Sequence, residues 1–175
     1  MLAPRLLELP VVGVSPIANH EANRLLVAWG HKLGPCNRPF RTQSWALEVD
    51  GEPVAVAMTC SIVNGPVAGY GRGEVVELAR LASSNNWANR VMLRLWREVL
   101  AHRWGLWPVK AAVSYSHNAL HGGNSYRTDG WRKVSDKCGT TGKGGNWGRR
   151  GSGYQNQALH GFKSLWVWEY PEVAP

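Results

Sequence analysis

Apolar and polar residues alternate along the chain with two different periods, which predict short strands and amphipathic helices in a mixed order. The β-branched run over residues 9–15 predicts a first strand. Ser15-Pro16 then predicts the start of a helix, with the serine as N-cap and the proline in the first turn. Apolar residues at helical spacing occupy residues 17–29, and Gly34-Pro35 ends the pattern. The chain is therefore expected to begin with a strand and a helix.

The next two apolar runs predict an antiparallel hairpin. They cover residues 44–49 and 53–63 and flank Asp50-Gly51. Both turn residues tolerate a positive φ, which the favoured two-residue hairpin turn requires.

A strand, a polar turn and a long helix follow the hairpin. Residues 74–82 predict the strand, and residues 87–103 predict the helix. The apolar stripe of this helix, expected in the core, comprises Val91, Met92, Leu95, Trp96, Val99 and Leu100. The opposite face, expected in solvent, carries Arg90, Arg94 and Arg97. Because free N–H groups at a helix start hold anions, this unit is the best candidate for binding an activated donor.

The second half of the chain completes a crossover unit. Residues 110–116 predict a strand parallel to the preceding one, and a short helix is predicted over 121–128. Strands are predicted over 131–134 and 165–170, separated by a basic, glycine-rich loop at about 137–161 that is expected to be mobile or ordered by a partner. The order β-α-β-β-β-α-β-α-β-β is that of the GNAT acyltransferase fold. We therefore expect a single α/β domain over residues 1–175, with a mixed sheet of six to seven strands.

The charge of the chain suggests a polyanionic partner. The chain has a formal net charge of +8 and contains 10 Trp residues, and phosphates attract Lys and Arg while exposed aromatic rings stack on bases. The alternative is a basic soluble protein whose tryptophans form the core. The composition does not distinguish the two.

The cysteines and the hydropathy pattern predict a cytoplasmic protein. Cys36, Cys60 and Cys138 lie far apart in the sequence without a C-x-x-C pair, so neither a disulfide framework nor a structural zinc site is predicted. His20, His31 and Cys36 leave a metal conceivable, but no ligand set is predicted. No apolar run approaches the roughly 20 residues that span a bilayer, and no secretion signal is predicted.

Three short motifs carry a resemblance to a known family. The chain contains, in this order, Glu77-Leu-Ala-Arg-Leu81, Asn86-Trp-Ala-Asn89 and His121-Gly-Gly-Asn-Ser-Tyr-Arg-Thr-Asp-Gly-Trp131. They resemble the motifs of the Mom family of bacteriophage DNA-modification proteins, approximately E-L-x-R-L, N-x-x-S and H-x-G-x-x-Y-x-x-x-x-W. That family is GNAT-like. The resemblance covers roughly residues 74 to 134, and residues 163–168 show a weaker similarity to the family.

The resemblance implies a DNA-modifying transferase in the cytoplasm of a bacterial host. Its reaction would place a carbamoylmethyl-type, acyl-derived group on the N6 amine of adenine in double-stranded DNA and so block restriction enzymes. By position, the matching residues are Arg80, Asn86, His121 and Tyr126. The chain departs from the family pattern at Asn89, where the family has serine, and at Ser116, where it has aspartate. These are the candidate catalytic residues: Arg80, Asn89, Ser116, His121 and Tyr126.

The chemistry of three of these residues suits group transfer, although each also has a structural explanation. Arg80 lies late in an apolar strand, where a permanent charge needs an anion, either a donor group or a neighbouring glutamate. Tyr126 can protonate a leaving group or simply pack on Trp131. His121 can accept the proton of an attacking amine or cap the short helix.

The turn before the long helix bears on the donor. Asn86 and Asn89 are N-cap candidates, and the turn lacks the glycines that let a backbone approach a pyrophosphate closely. The donor is therefore either acetyl-CoA or another activated acyl or aminoacyl carrier. Candidate donor-binding residues are Leu81, Ala82, Asn86, Trp87, Ala88, Asn89 and Arg90. Candidate DNA-binding residues in the basic loop are Lys143, Trp147, Arg149 and Arg150.

Three functional hypotheses follow from the sequence, in order of preference. The first is a Mom-like enzyme that modifies adenine N6 and flips the base out of the duplex to reach it. The second is a GNAT acetyltransferase acting on a protein or small-molecule amine. The third is a non-catalytic nucleic-acid-binding module that uses the positive charge and the tryptophans.

Overall fold

The computed structural model describes residues 10–38, 41–63, 65–138 and 161–171. Seven strands form one mixed sheet in the order β1-β2-β3-β4-β5-β7-β6. The strands are β1 Val12–Ile17, β2 Thr42–Val49, β3 Glu52–Cys60, β4 Val75–Ser83, β5 Ala111–His117, β6 Arg132–Cys138 and β7 Lys163–Glu169. The α-helices in these ranges are α1 Asn19–Ala28, α2 Asn86–Leu95 and α3 Asn124–Thr128. The predicted order of elements and the mixed α/β sheet are confirmed.

The hairpin and the crossover unit also match the prediction. Asp50 and Gly51 join β2 to β3 with φ angles of 51° and 83°. Strand β5 follows α2 and pairs parallel to β4. Among the described residues, none of the helices is long and apolar enough to cross a membrane.

The predicted helix start at Ser15-Pro16 was wrong. Both residues lie in β1, where Pro16 is paired with Trp45 of β2. Strand β1 forms one edge of the sheet, and a proline is tolerated at an edge because its missing N–H interrupts no second ladder. The Ser15 hydroxyl donates to Glu48 at 2.8 Å instead of capping a helix, and α1 begins at Asn19.

Helix α2 has the predicted extent but not the predicted faces. A π turn over Trp96–Leu100 and a 3₁₀ turn over Ala101–Trp104 continue it. Arg97 was expected in solvent, yet it is buried, with its Nε 2.6 Å from an Asp129 carboxylate oxygen. The Arg97 guanidinium also lies 3.7 Å from the ring centre of Trp168. A counter-charge and an aromatic face therefore stabilise a side chain that spacing alone assigns to solvent, while Val91 and Val99 are exposed.

Helices cover both faces of the sheet. Helix α2 packs on one face with the buried indoles of Trp96, Trp104, Trp131 and Trp166. Helix α1 packs on the other, where Leu26 contacts the core. Of the tryptophans in the described ranges, only Trp87 is exposed, so the aromatic content belongs mainly to the core.

Candidate active site

Strands β4 and β5 separate halfway along the sheet. Their parallel pairing covers Val75–Leu78 with Ala111–Ser114 and ends there, although both strands continue. We call the opening between residues 79–83 and 115–117 the strand gap. Backbone groups that face such an opening form no hydrogen bonds between the two strands, so they are free to bind a ligand.

A bulge in β4 lies at the start of the strand gap. Leu78 is paired with Thr59 and Arg80 with Met58, which leaves Ala79 without a partner in β3. Residues three apart in a regular strand point to opposite faces, but one extra residue reverses the alternation. Glu77 and Arg80 therefore both reach the loop that follows α1, which spans residues 29–38 and is called here the α1 loop.

A cavity of about 310 Å³ occupies the strand gap. Its lining brings together all five candidate catalytic residues: Arg80, Asn89, Ser116, His121 and Tyr126. They come from β4, α2, β5 and the segment before and within α3. The structure thus collects in one place residues that the sequence spreads over almost fifty positions.

Tyr126 is anchored at the floor of this cavity. Its hydroxyl lies 2.8 Å from Oγ of Ser114, which itself donates to the Leu78 carbonyl at 2.9 Å. Because a serine has one hydrogen to donate, the Tyr126 O–H donates to Ser114. Burial raises the pKa of Tyr126, so the phenol stays protonated at neutral pH. Its ring stacks on Trp166 and meets the edge of Trp131, so the structural explanation for this tyrosine also holds.

Arg80 is held by neutral oxygens rather than by a glutamate. Its guanidinium donates to the carbonyls of Gly34, Pro35 and Ala79, at 3.1, 3.3 and 2.7 Å. The glutamate expected beside it, Glu77, pairs with Arg38 at 2.5 Å. Carbonyl partners fix the guanidinium but do not neutralise it, so a positive charge faces the strand gap.

The α1 loop is the part of the site that the sequence analysis missed. It brings His31 and Leu33 to the cavity wall. Burial and the positive charge of Arg80 lower the pKa of His31 to about 4, so this imidazole is neutral at pH 7. Nothing in local spacing indicates the contact, because it depends on how α1 packs against the sheet.

The structure places the candidate donor-binding residues in different surroundings. Leu81 and Asn89 line the cavity, whereas Ala82 and Ala88 are core residues. Trp87 is half exposed on the first turn of α2. Arg90 lines a neighbouring groove that shares Ser125 with the cavity, and Asn86 is the first residue of α2.

The N-cap of α2 is Asn85, not Asn86 or Asn89. The Asn85 side-chain oxygen accepts the N–H of Ala88 at 3.0 Å, and its carbonyl accepts the N–H of Asn89. The cap is one residue earlier than expected because the strand ends at Ser83 and Asn85 has the extended backbone that a cap requires.

Ser116 is also tied to the core. Its Oγ accepts the indole N–H of Trp166 at 2.8 Å. The candidate DNA-binding residues Lys143, Trp147, Arg149 and Arg150 lie outside the described residues, as does most of the predicted basic loop.

Two of the cysteines are neighbours in space. The sulfur atoms of Cys36 and Cys60 lie 3.7 Å apart as free, buried thiols, because the α1 loop packs on β3. Within the described ranges, no three His, Cys, Asp or Glu side chains converge on a metal site, and this includes the conceivable set at His20, His31 and Cys36.

The comparisons with known proteins identify the fold. No family model matches the chain, and no curated protein matches it. Solved structures match along almost the whole length. The chain is similar to the ribosomal-protein-S18-alanine N-acetyltransferase from Escherichia coli, with a TM-score of 0.57, 9% identity, and coverage of 94% of this chain and 97% of that one.

Two acetyl-CoA complexes are similar to the same degree. Arabidopsis thaliana NAA60 gives a TM-score of 0.55 at 16% identity, covering 91% of this chain and 98% of that one. A GNAT family acetyltransferase from Elizabethkingia anophelis gives 0.53 at 11% identity, with coverage of 91% and 98%. None of these matches tests the narrower resemblance to the Mom family. The chain has the fold of the GNAT acetyltransferases.

Proposed function

We propose that the protein is a GNAT-type N-acyltransferase that moves an acyl group from an activated carrier to an amine. The observation that carries this proposal is the strand gap with Tyr126 and Ser114 at its floor. Two of the structural neighbours were determined with acetyl-CoA bound. Acetyl-CoA is accordingly the first donor to test, and another activated acyl or aminoacyl carrier is the second.

The proposed reaction assigns a role to each group in the gap. The amine attacks the acyl carbon, so a C–N bond forms and the bond from carbon to the carrier breaks. We assign the acyl oxygen to the backbone N–H of Ala79, a residue that lines the cavity and has no Cα partner in β3. His121 accepts the proton that the amine loses, and Tyr126 turns its O–H from Ser114 to give a proton to the departing carrier atom. The proton held by His121 then restores the phenol of Tyr126, so no net proton is gained or lost.

A pair of tyrosine variants tests this proposal. Tyr126→Phe removes the proton donor but keeps the ring on Trp166, so we expect kcat to fall by about 10²–10⁴-fold with little change in KM. Tyr170→Phe is the matched control, because its hydroxyl is also half-buried and hydrogen-bonded, to the Arg97 carbonyl, but lies outside the cavity. Equal rates for the two variants would contradict the role of Tyr126.

Donor binding is measured separately by calorimetry with acetyl-CoA. If Asn89→Ala weakens the binding of acetyl-CoA, this supports the cavity as the donor site, since Asn89 lines it from α2. A folded protein that neither binds acetyl-CoA nor transfers its acetyl group needs a different carrier. Aminoacyl esters are then the next class to assay.

A narrower proposal is that the acceptor is the N6 amine of adenine in DNA and the product a carbamoylmethyl-type adduct. Its support is that three of the four residues matched by resemblance to the Mom family, Arg80, His121 and Tyr126, line one cavity. The fourth, Asn86, begins α2 outside it. The net charge of +8 is also favourable for DNA. The target base would have to leave the duplex, at a cost of a few kcal/mol.

Nucleoside mass spectrometry of plasmid DNA tests the narrower proposal. DNA from a restriction-deficient host that expresses the protein should contain an adenine nucleoside of altered mass, and DNA from cells expressing Tyr126→Phe should not. Unmodified DNA in the presence of well-folded protein would refute the adenine acceptor while leaving N-acyl transfer intact. Full restriction protection by both Tyr126→Phe and Arg80→Ala would favour the non-catalytic binding module instead.

A further inference from the structure

A second cavity, of about 530 Å³, opens onto the strand gap from the α1 side of the sheet. It shares Leu78, Ala79, Arg80 and Tyr115 with the first cavity. Its other walls come from the α1 loop, the segment after β3 and the start of β7. A molecule in this second cavity and a molecule in the first one would therefore meet at the strand gap.

Positive charge dominates the second cavity. Among the residues that the structure describes, its lining contains three cationic side chains, Arg38, Arg80 and Lys163, and one carboxylate, Glu77. Arg38 is paired with Glu77, whereas Arg80 donates only to backbone carbonyls and Lys163 has no ion-pair partner in the described part of the chain. The cluster therefore carries a surplus of two positive charges.

The surroundings of Lys163 and Glu77 agree with this count. Burial and the charge of Arg80 lower the pKa of Lys163. Burial raises the pKa of Glu77, against the pull of Arg38. A partly buried positive surplus is unfavourable in the empty protein, and a bound anion would offset it.

We propose that the second cavity is the acceptor site and that it recognises a phosphate group on the amine-bearing acceptor. This inference rests on the proposed acyl transfer and deepens it by naming the acceptor class. Two uncompensated cations match the charge of a phosphomonoester better than that of a single carboxylate. Three of the five N–H groups of Arg80 donate to backbone carbonyls, which leaves two to donate to phosphate oxygens. The cavity volume is within the usual range for sites that hold small molecules.

The acceptor enters from the α1 side with its phosphate near Lys163 and Arg80. Its amine extends past Ala79 into the strand gap and there meets the acyl carbon of the donor, which lies in the first cavity. The phosphate can belong to a free nucleotide or to a nucleic-acid strand. Both sources present phosphate oxygens and negative charge to this site, with more charge on the monoester of a free nucleotide than on a phosphodiester, and the test separates them.

Calorimetry with three probes tests the site: inorganic phosphate, deoxyadenosine monophosphate and deoxyadenosine. We expect the nucleotide to bind at least tenfold more tightly than the nucleoside, because only the nucleotide carries the charge. Lys163→Met should weaken nucleotide binding by about tenfold or more and abolish competition by inorganic phosphate. Lys133→Met is the matched control, since Lys133 is an exposed lysine of β6 outside the cavity.

Thermal unfolding of Lys163→Met, compared with the wild type, confirms that the variant is folded. Acetyl-CoA binding, measured on the same samples, should be unchanged by Lys163→Met if the donor occupies the first cavity. A short single-stranded oligonucleotide provides the second source of phosphate. If only the oligonucleotide binds, and Lys163→Met weakens that binding, the group that the site recognises is a phosphodiester. This result also supports the site.

Two results would overturn the inference. One is nucleotide binding no tighter than nucleoside binding together with no Lys163-dependent binding of the oligonucleotide, and the other is nucleotide binding that Lys163→Met leaves unchanged. If the protein still acylates a neutral amine in a Tyr126-dependent manner in that case, the acceptor inference fails and the proposed acyl transfer does not.

Discussion

Replacing Gly123 with alanine is expected to destabilise the protein, because the added methyl group has no room. Gly123 precedes α3 with a φ of +68°, a left-handed conformation that suits glycine. A Cβ at this position would lie 2.2 Å from Cζ2 and 2.7 Å from Cε2 of Trp166. The ring cannot retreat easily, since it is buried, donates its indole N–H to Ser116 and stacks on Tyr126.

The magnitude follows from two contributions. The left-handed backbone costs a non-glycine residue about 1–2 kcal/mol. Forcing extra volume into a packed core costs about 1–3 kcal/mol. The unfolding free energy of Gly123→Ala should therefore fall by about 2–5 kcal/mol, and Tm by about 4–20 °C for a chain of this length.

Gly122→Ala is the matched control for this variant. It adds the same methyl group one residue earlier, where the nearest atom is Oδ1 of Asn124 at 3.7 Å, an ordinary contact. Its effect should stay within about 0.5 kcal/mol. Urea unfolding followed by tryptophan fluorescence measures both variants against the wild type. If the two variants unfold at the same urea concentration, Trp166 is not packed against the start of α3 and the reasoning is refuted.

Three further perturbations test other parts of the molecule. Asp129→Asn should cost about 3 kcal/mol because it removes the buried one of the two carboxylates that pair with Arg97 and leaves only the half-exposed Glu98; Arg94→Ala, which removes an exposed contact with the same Asp129 carboxylate, should cost less than about 1 kcal/mol in the same urea assay. Asn85→Ala should cost about 1 kcal/mol through loss of the α2 cap, and substitution of Asn85 by serine should cost much less. The lowered pKa of His31, about 4, means that the unfolded chain takes up this proton first, so stability should be lost as pH falls from about 6.5 to about 4, by up to about 1.4 kcal/mol per pH unit. The His31→Gln variant should show a flatter dependence over that window, and parallel curves would mean that the imidazole is not buried in its neutral form.

Much of the fold was predictable because the local sequence pattern indicates most of the strands and helices. The hairpin follows from Asp50-Gly51, whose two positive φ angles only a few residue types tolerate. The crossover follows from a buried strand that runs into an amphipathic helix. At Ser15-Pro16 the local pattern favoured a helix start, but pairing of β1 with β2 extended the strand through the proline. Long-range strand pairing determined the structure of that segment, and a local sequence pattern does not contain information on such pairing.

The predicted site residues were recoverable for a related reason. His121 and Tyr126 belong to one short motif, and the structure explains the glycine between them: Gly123 lets α3 begin against Trp166. The α1 loop left no such signal. Its residues Leu33 and Arg38 reach the strand gap only because α1 packs across the sheet, which is a tertiary property.

The bulge at Ala79 connects the motif in β4 with the shape of the site. Without it, Glu77 and Arg80 would point to opposite faces, and only one of them could reach the α1 loop. Bulges also bend the strand that carries them, and pairing between β4 and β5 stops at Leu78, directly before the extra residue. One irregularity therefore accounts for the opening of the strand gap, for the placing of Ala79 outside the ladder and for the charge cluster behind it. The Glu-Leu-x-Arg-Leu spacing is informative because it describes a bulged strand, in which residues three apart share a face.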